Sequence, residues 1–148
     1  MSDTSRPVRA TGSCLCGGVK YEVRGPMRAV STCHCSQCRK TTGHYYAATA
    51  ARRADFVLVE DTTLKWFQSS DKARRGFCGE CGSTLFFDGS AREHISILAG
   101  TLDGPTGLST TVHIYVDDAG DYYSLDDGLP QWPQHWDDDT APAWEEEA

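Results

Sequence analysis

The sequence predicts a mainly β, single-domain protein, and three observations carry that expectation. Helical periodicity is scarce, while short runs rich in valine, threonine and aromatic residues recur between glycine or aspartate punctuation. The chain has 148 residues, the size of one ordinary domain and enough to bury about two-thirds of its unfolded surface. Its seven cysteines form three tight groups, Cys14-Leu15-Cys16, Cys33-His34-Cys35-Ser36-Gln37-Cys38 and Cys78-Gly79-Glu80-Cys81. Four sulfurs close a zinc site and three leave one open, so the count suggests one structural and one reactive metal.

In chain order, the runs expected as strands are Val8 to Thr11, Gly18 to Val23, Ala29 to Cys33, Tyr45 to Ala50, Phe56 to Val59 and Leu64 to Gln68. They continue with Ser83 to Asp88, His94 to Ala99, Val112 to Val116 and Tyr122 to Leu125. One short helix is expected at Ser36 to Thr42, with Ser36 capping its start and Gly43 ending it. No repeat and no internal linker interrupts the domain, which is taken as residues 1–148. After Asp126 the chain becomes turn-rich, and acidic clusters at Asp137 to Asp139 and Glu145 to Glu147 mark a tail at 137–148 expected to be loosely held. Trp132, Trp136 and Trp144 could make a partner-binding arm, but folding back onto the domain is preferred because aromatic area is costly to leave in water.

Composition excludes several classes. A net charge of −7 argues against a general affinity for nucleic acid or anionic membrane, and no apolar run approaches the roughly 20 residues a spanning helix needs. The polar start, Met1 to Ala10, has no apolar stretch to serve as a signal peptide, so a cytoplasmic protein is expected. Disulfides fit poorly in that compartment, and an odd cysteine total would leave one thiol unpaired.

The spacings carry geometry. On a strand, residues two apart share a side, so Cys14 with Cys16, and Cys33 with Cys35, could each present two sulfurs to one metal. The Cys78-x-x-Cys81 pair needs a turn, for which Gly79 and Gly82 supply freedom for positive φ. A thioredoxin-like redox pair would open a helix, whereas Cys81 leads into the strand-like Thr84-Leu-Phe-Phe87. Cys14, Cys16, Cys78 and Cys81 can form a four-sulfur site and leave Cys33, Cys35 and Cys38 together; alternatively the middle group joins the knuckle and leaves Cys14 and Cys16 as a weak pair. The first arrangement is preferred because three sulfurs within six residues already chelate one ion locally.

Three segments, Gly12-Ser-Cys-Leu-Cys-Gly-Gly-Val-Lys-Tyr-Glu22, Cys33-His-Cys-Ser-Gln-Cys-Arg-Lys-Thr-Thr-Gly43 and Arg75-Gly-Phe-Cys-Gly-Glu-Cys-Gly-Ser83, resemble the glutathione-dependent formaldehyde-activating enzymes, a family that also contains centromere protein V. Trp66-Phe-Gln-Ser-Ser, His113-Ile-Tyr-Val and Asp127-Gly-Leu-Pro extend the likeness over residues 10–133. The resemblance implies a β-tent fold of zinc-bound antiparallel sheets, with structural zinc at Cys14, Cys16, Cys78 and Cys81 and functional zinc at Cys33, Cys35 and Cys38. It also implies a carbon–sulfur lyase that forms S-(hydroxymethyl)glutathione from glutathione and formaldehyde.

Zinc with three thiolates carries a net charge near −1, which suits it to binding another thiol better than to making hydroxide. Arg39, Lys40, Arg74 and Arg75 flank the motifs and could either hold substrate carboxylates or offset thiolate charge. Arg39 and Arg75 match the family motif and are the preferred substrate-binding residues. His34 should point away from its flanking sulfurs and be structural. His44 could shuttle a proton or complete the open site, with a packing role preferred; His94, His113 and His135 are assigned no function. Tyr45-Tyr46 makes the rim of the site bulky. The alternative to an enzyme is a non-catalytic zinc-stabilised protein-binding module.

Overall fold

A computed structural model describes residues 5–147; residues 1–4 and 148, which fall within the single-domain and tail assignments, lie outside them. The expected β content is present as ten strands: β1 Ala10–Ser13, β2 Lys20–Val23, β3 Val30–Cys33, β4 Tyr46–Arg52, β5 Phe56–Glu60, β6 Leu64–Ser70, β7 Ala73–Cys78, β8 Thr84–Gly89, β9 His94–Leu98 and β10 Thr110–Ile114. They build a three-stranded sheet of order β1-β2-β5 and a seven-stranded sheet of order β10-β3-β4-β9-β8-β7-β6. Pairing is antiparallel except at β3, which runs parallel to β10 with Cys33 opposite Ile114.

Alternation explains the main core. Val19, Tyr21 and Val23 share one side of the β2 segment and are buried, with Leu85 and Phe86 of β8 and Ile95 and Ile97 of β9 in the same apolar cluster. Tyr21 meets the Phe86 ring edge-on at 5.4 Å, a favoured aromatic geometry. A second cluster joins Cys33, Cys38, Val112 and Ile114 to Trp132 and Trp136 from the C-terminal segment.

Three expectations need correction. β7 was not among the expected strands; it forms because Ala73–Cys78 is paired on both edges, by β6 and β8, although its two arginines and glycine give it little strand propensity. Tyr122 to Leu125 is not a strand: Tyr122 lies in a turn with its ring tilted against His44, and Tyr123 follows in irregular chain and stacks on His34. The expected loose tail is docked up to Glu147, because Glu145 receives both Arg9 Nε and Nη2, at 2.9 and 2.8 Å, and Ala143 and Glu145 hydrogen-bond the backbone of Ala29 and Met27. The expected return of the tryptophans to the domain holds: Trp132 and Trp136 pack on the second cluster and Trp144 bridges Arg28.

Candidate metal centres and the adjoining cavity

Two thiol groups come together, with the membership preferred from spacing. The sulfurs of Cys14, Cys16, Cys78 and Cys81 all lie within 4.8 Å of one another, and so do those of Cys33, Cys35 and Cys38. All seven cysteines are unbridged.

The four-sulfur group is built from two turns rather than from a strand and a turn. β1 ends at Ser13, and Cys14 to Cys16 turn back so that the Cys14 amide donates to Val19 and Gly17 takes φ 83°. At the other turn only Gly82 adopts positive φ, at 80°. Gly79 does not adopt positive φ, and a Cβ there would meet only the exposed, flexible Lys65 side chain, at 2.7 Å. The turns are tied by the Leu15 amide on Ser83 Oγ, and N–H donors surround the sulfurs: Val19 to Cys14 at 3.2 Å, and Glu80 and Cys81 to Cys78 at 3.4 and 3.3 Å. Cys14–Cys16 and Cys16–Cys78 sulfur separations are 3.7 and 3.6 Å. Zinc–sulfur bonds of about 2.3 Å in a tetrahedron put sulfurs about 3.8 Å apart, so this group fits such an ion.

The three-sulfur group sits where β3 passes into α1, Ser36–Thr42. Cys33 ends the strand, Cys38 lies in the first turn of the helix, and the helix cap is Cys35 rather than Ser36, its sulfur accepting the Cys38 amide at 3.4 Å. Gly43 ends the helix as expected, in the left-handed region at φ 83° with its N–H on the Arg39 carbonyl. Hydrogen bonding from Cys33 and Cys38, with Arg75 close by, holds the Cys35 thiol down to about 2 while that of Cys33 is pushed up. These surroundings favour the thiolate at Cys35, the form that ligates metal.

A cavity of about 330 Å³ opens beside these thiols, lined by Cys33, Cys35 and Cys38 together with Gln37, Tyr46, Phe87, Tyr115 and Trp136. Tyr115 is the one non-glycine residue with positive φ among those described, at 56°, a conformation disfavoured for an aromatic residue and held here by its amide on Gln134 at 2.8 Å. Arg75 lines the cavity and is buried, with Nη1 and Nη2 each 3.6 Å from Cys38 Sγ. β7 explains the difference between its neighbouring arginines. Arg74 points to the outer face, over Trp66 at 3.9 Å and onto Asp88, while Arg75 points into the site. Arg39 does not line the cavity; its Nε donates to the carbonyl of Asp118, a lining residue.

Among the histidines, His34 is fully buried and turned away from the sulfurs as expected, between Tyr123 Oη at 2.5 Å and Thr32 Oγ1 at 3.0 Å. Its network continues through Thr32 to His113 and from His113 Nε2 to Asp127 at 2.8 Å. His44 is exposed, bonds Tyr122 Oη at 2.7 Å, and joins neither thiol group. Sequence reasoning missed Arg28, Ser31 and Ser96 of the cavity wall, which carry no motif and reach the site from the segment just before β3, from β3 and from β9.

A small β domain with two separate thiol groups, one among turns and one opening on an arginine-lined cavity, is the class of protein this geometry defines. The chain belongs to the glutathione-dependent formaldehyde-activating enzyme family, whose profile matches residues 9–118. Relatives include an uncharacterised lyase of Schizosaccharomyces pombe, 27% identical over 77% of this chain and 83% of its own. Another is a Halomonas elongata protein provisionally named a glutathione-dependent formaldehyde-activating enzyme, 30% identical over 78% of this chain and 80% of its own. A Rhodobacter sphaeroides protein of known crystal structure shares the fold, with a TM-score of 0.56 and 24% identity over 68% of this chain and 99% of its own.

Proposed function

We propose that this chain is a zinc-dependent carbon–sulfur lyase acting on a thiol–aldehyde adduct, of the S-(hydroxymethyl)glutathione synthase type. The observation that carries the reading is the three-sulfur group opening on a cavity with a buried arginine beside it. Family membership and the names of the two relatives support a reaction of this class. Cys33, Cys35 and Cys38 would hold the functional zinc, and Cys14, Cys16, Cys78 and Cys81 the structural one. When bound at the three-sulfur group, the metal supplies a soft Lewis acid for a thiol sulfur or an aldehyde oxygen.

The rest falls to the protein. Arg75 offsets the thiolate charge through Cys38, and its buried Nε, which has no partner among the described residues, is a donor for a substrate oxygen. Arg39 stands beside Asp118 at the cavity edge as the second substrate-binding cation. Tyr46, Phe87 and Trp136 narrow the volume, exclude water and orient the thiol against the aldehyde. In the synthetic direction the sulfur pair forms a bond to the carbonyl carbon, the C=O π pair moves to oxygen, and the sulfhydryl proton ends on that oxygen; cleavage is the reverse.

Glutathione–formaldehyde exchange followed by NMR tests the reading against the spontaneous rate. Metal-replete protein is expected to accelerate exchange, and Cys35→Ser to lose the acceleration while keeping about one metal per chain at the other group. Full activity in Cys35→Ser, or no acceleration by the wild type, would overturn it. A protein side chain completing the three-sulfur group would favour the binding-module alternative, and His44 does not take that place.

A further inference from the structure

Strand β10 breaks its own alternation where it ends. Val112 and Ile114 pack with Cys33 and Cys38, while His113 between them lies on the other side of the sheet, bonded to Thr32 and Asp127. The parallel register repeats the division across β3, with Ile114 opposite Cys33 and His113 opposite Thr32. Extended backbone would therefore carry Tyr115 to the His113 side, away from the thiols. It goes the other way. At φ 56° and ψ 38° Tyr115 is left-handed, and its ring packs against the cluster of Cys33 and Cys38 and lines the cavity.

Left-handed backbone crowds a β-carbon against the following carbonyl and is left mostly to glycine and asparagine, yet a bulky aromatic residue stands here. Neighbours on both sides hold it in place. The Tyr115 amide donates to the Gln134 carbonyl at 2.8 Å, the Val116 amide to the Trp132 carbonyl at 3.0 Å, and the Asp118 amide to the Tyr115 carbonyl at 3.1 Å. Strain that the surroundings enforce at a cavity wall points to a use for the side chain. Beyond a ring, tyrosine brings a hydroxyl. Those of Tyr21, Tyr122 and Tyr123 are bonded to Thr101, His44 and His34, whereas that of Tyr115 has no hydrogen-bond partner among the described residues. Tyr46, the other tyrosine of the cavity wall, stands directly opposite Cys33 on β4 and reaches the cavity by the ordinary pleat.

We propose that the Tyr115 hydroxyl donates a hydrogen bond to the aldehyde-derived oxygen of the thiol–aldehyde adduct, which makes Tyr115 a catalytic residue of the lyase reading, on which this step rests for its reaction. As the sulfur pair bonds to the carbonyl carbon, the π pair of C=O moves to oxygen, and a donor already fixed at that oxygen stabilises the charge as it grows. The sulfhydryl proton still ends on the oxygen, so Tyr115 keeps its own. Arg75 lies against the sulfur of Cys38, and Tyr115 serves the oxygen.

Metal-replete wild type and Tyr115→Phe are compared in glutathione–formaldehyde exchange. Tyr115→Phe should lower kcat roughly a hundredfold, the effect of losing one donor to a developing oxyanion, with KM within about twofold. Its urea midpoint should be unchanged, and so should its calorimetric binding of S-methylglutathione, which has a methyl group where the adduct has a hydroxymethyl. Contact is also read apart from turnover, because the adduct forms without a catalyst. In protein carrying ¹³C at the tyrosine Cζ, the resonance that Tyr115→Phe removes should shift more with glutathione and formaldehyde together than with S-methylglutathione. Equal kcat in wild type and Tyr115→Phe overturns the proposal and leaves the lyase reading standing. A fall in kcat that comes with weaker S-methylglutathione binding or a lower urea midpoint makes Tyr115 a wall of the cavity and overturns it as well. If wild type accelerates nothing, the lyase reading falls; an adduct-specific shift then upholds the hydrogen bond, and its absence overturns it.

Discussion

Single residues show why polar groups are buried in so small a domain. His34 lies between two thiol ligands in sequence, yet its ring leaves their side of the chain and is satisfied by Tyr123 and Thr32. Extended backbone made that direction readable in advance; the partners, 89 residues away in the case of Tyr123, were not. His94 is held by burial, with Arg28, Arg92 and Arg53 adding repulsion, at about 4, below its ordinary 6.5. The unfolded chain therefore binds this proton first, and the stability tied to the neutral ring is complete above pH 6.5 and lost as pH falls towards 4. His94→Gln should flatten the pH dependence of unfolding free energy in that window by up to one proton, measured by urea titration against the wild type at each pH; an unchanged slope would show that His94 titrates normally.

At the scale of elements, α1 is too short to hold itself together, since isolated helices of fewer than about 12 residues are marginal in water. It persists through its two caps, Cys35 and Gly43. No atom lies within 4 Å of a Cβ built at Gly43, so the cost of a side chain there is conformational and not steric. Gly43→Ala should destabilise by roughly 1 kcal/mol in urea unfolding and loosen Cys38. No loss would mean that the thiol group alone fixes the helix end. Strand β7 is the element that most changed the reading of function. Charge and position alone do not separate Arg74 from Arg75, which only the family motif singled out; once Ala73–Cys78 is paired on both sides, one is placed outside and the other against Cys38.

Across the whole molecule the two thiol groups should divide stability from activity. The four-sulfur group ties the turn after β1 to the turn between β7 and β8, closing a long stretch of chain, and metal bound there adds folding free energy directly. Cys78→Ser should lower the thermal midpoint by roughly 10 °C or more, whereas Cys35→Ser should shift it little while activity is lost. Scanning calorimetry with metal analysis checks both, and equal shifts would remove the distinction between structural and functional groups.

The sequence by itself determined the β class, the strands that carry apolar alternation and the short helix, and it favoured one membership of the two thiol groups, because periodicity and ligand spacing are local signals; the folded chain decided between the pairings. Tertiary structure alone decided that β3 pairs in parallel with β10, that residues 143–145 dock beside Met27–Ala29, and that Arg28, Tyr46, Arg75 and Trp136 face one cavity. Those residues come from segments far apart in the chain, and no local pattern encodes which faces will meet once the sheets close over the core.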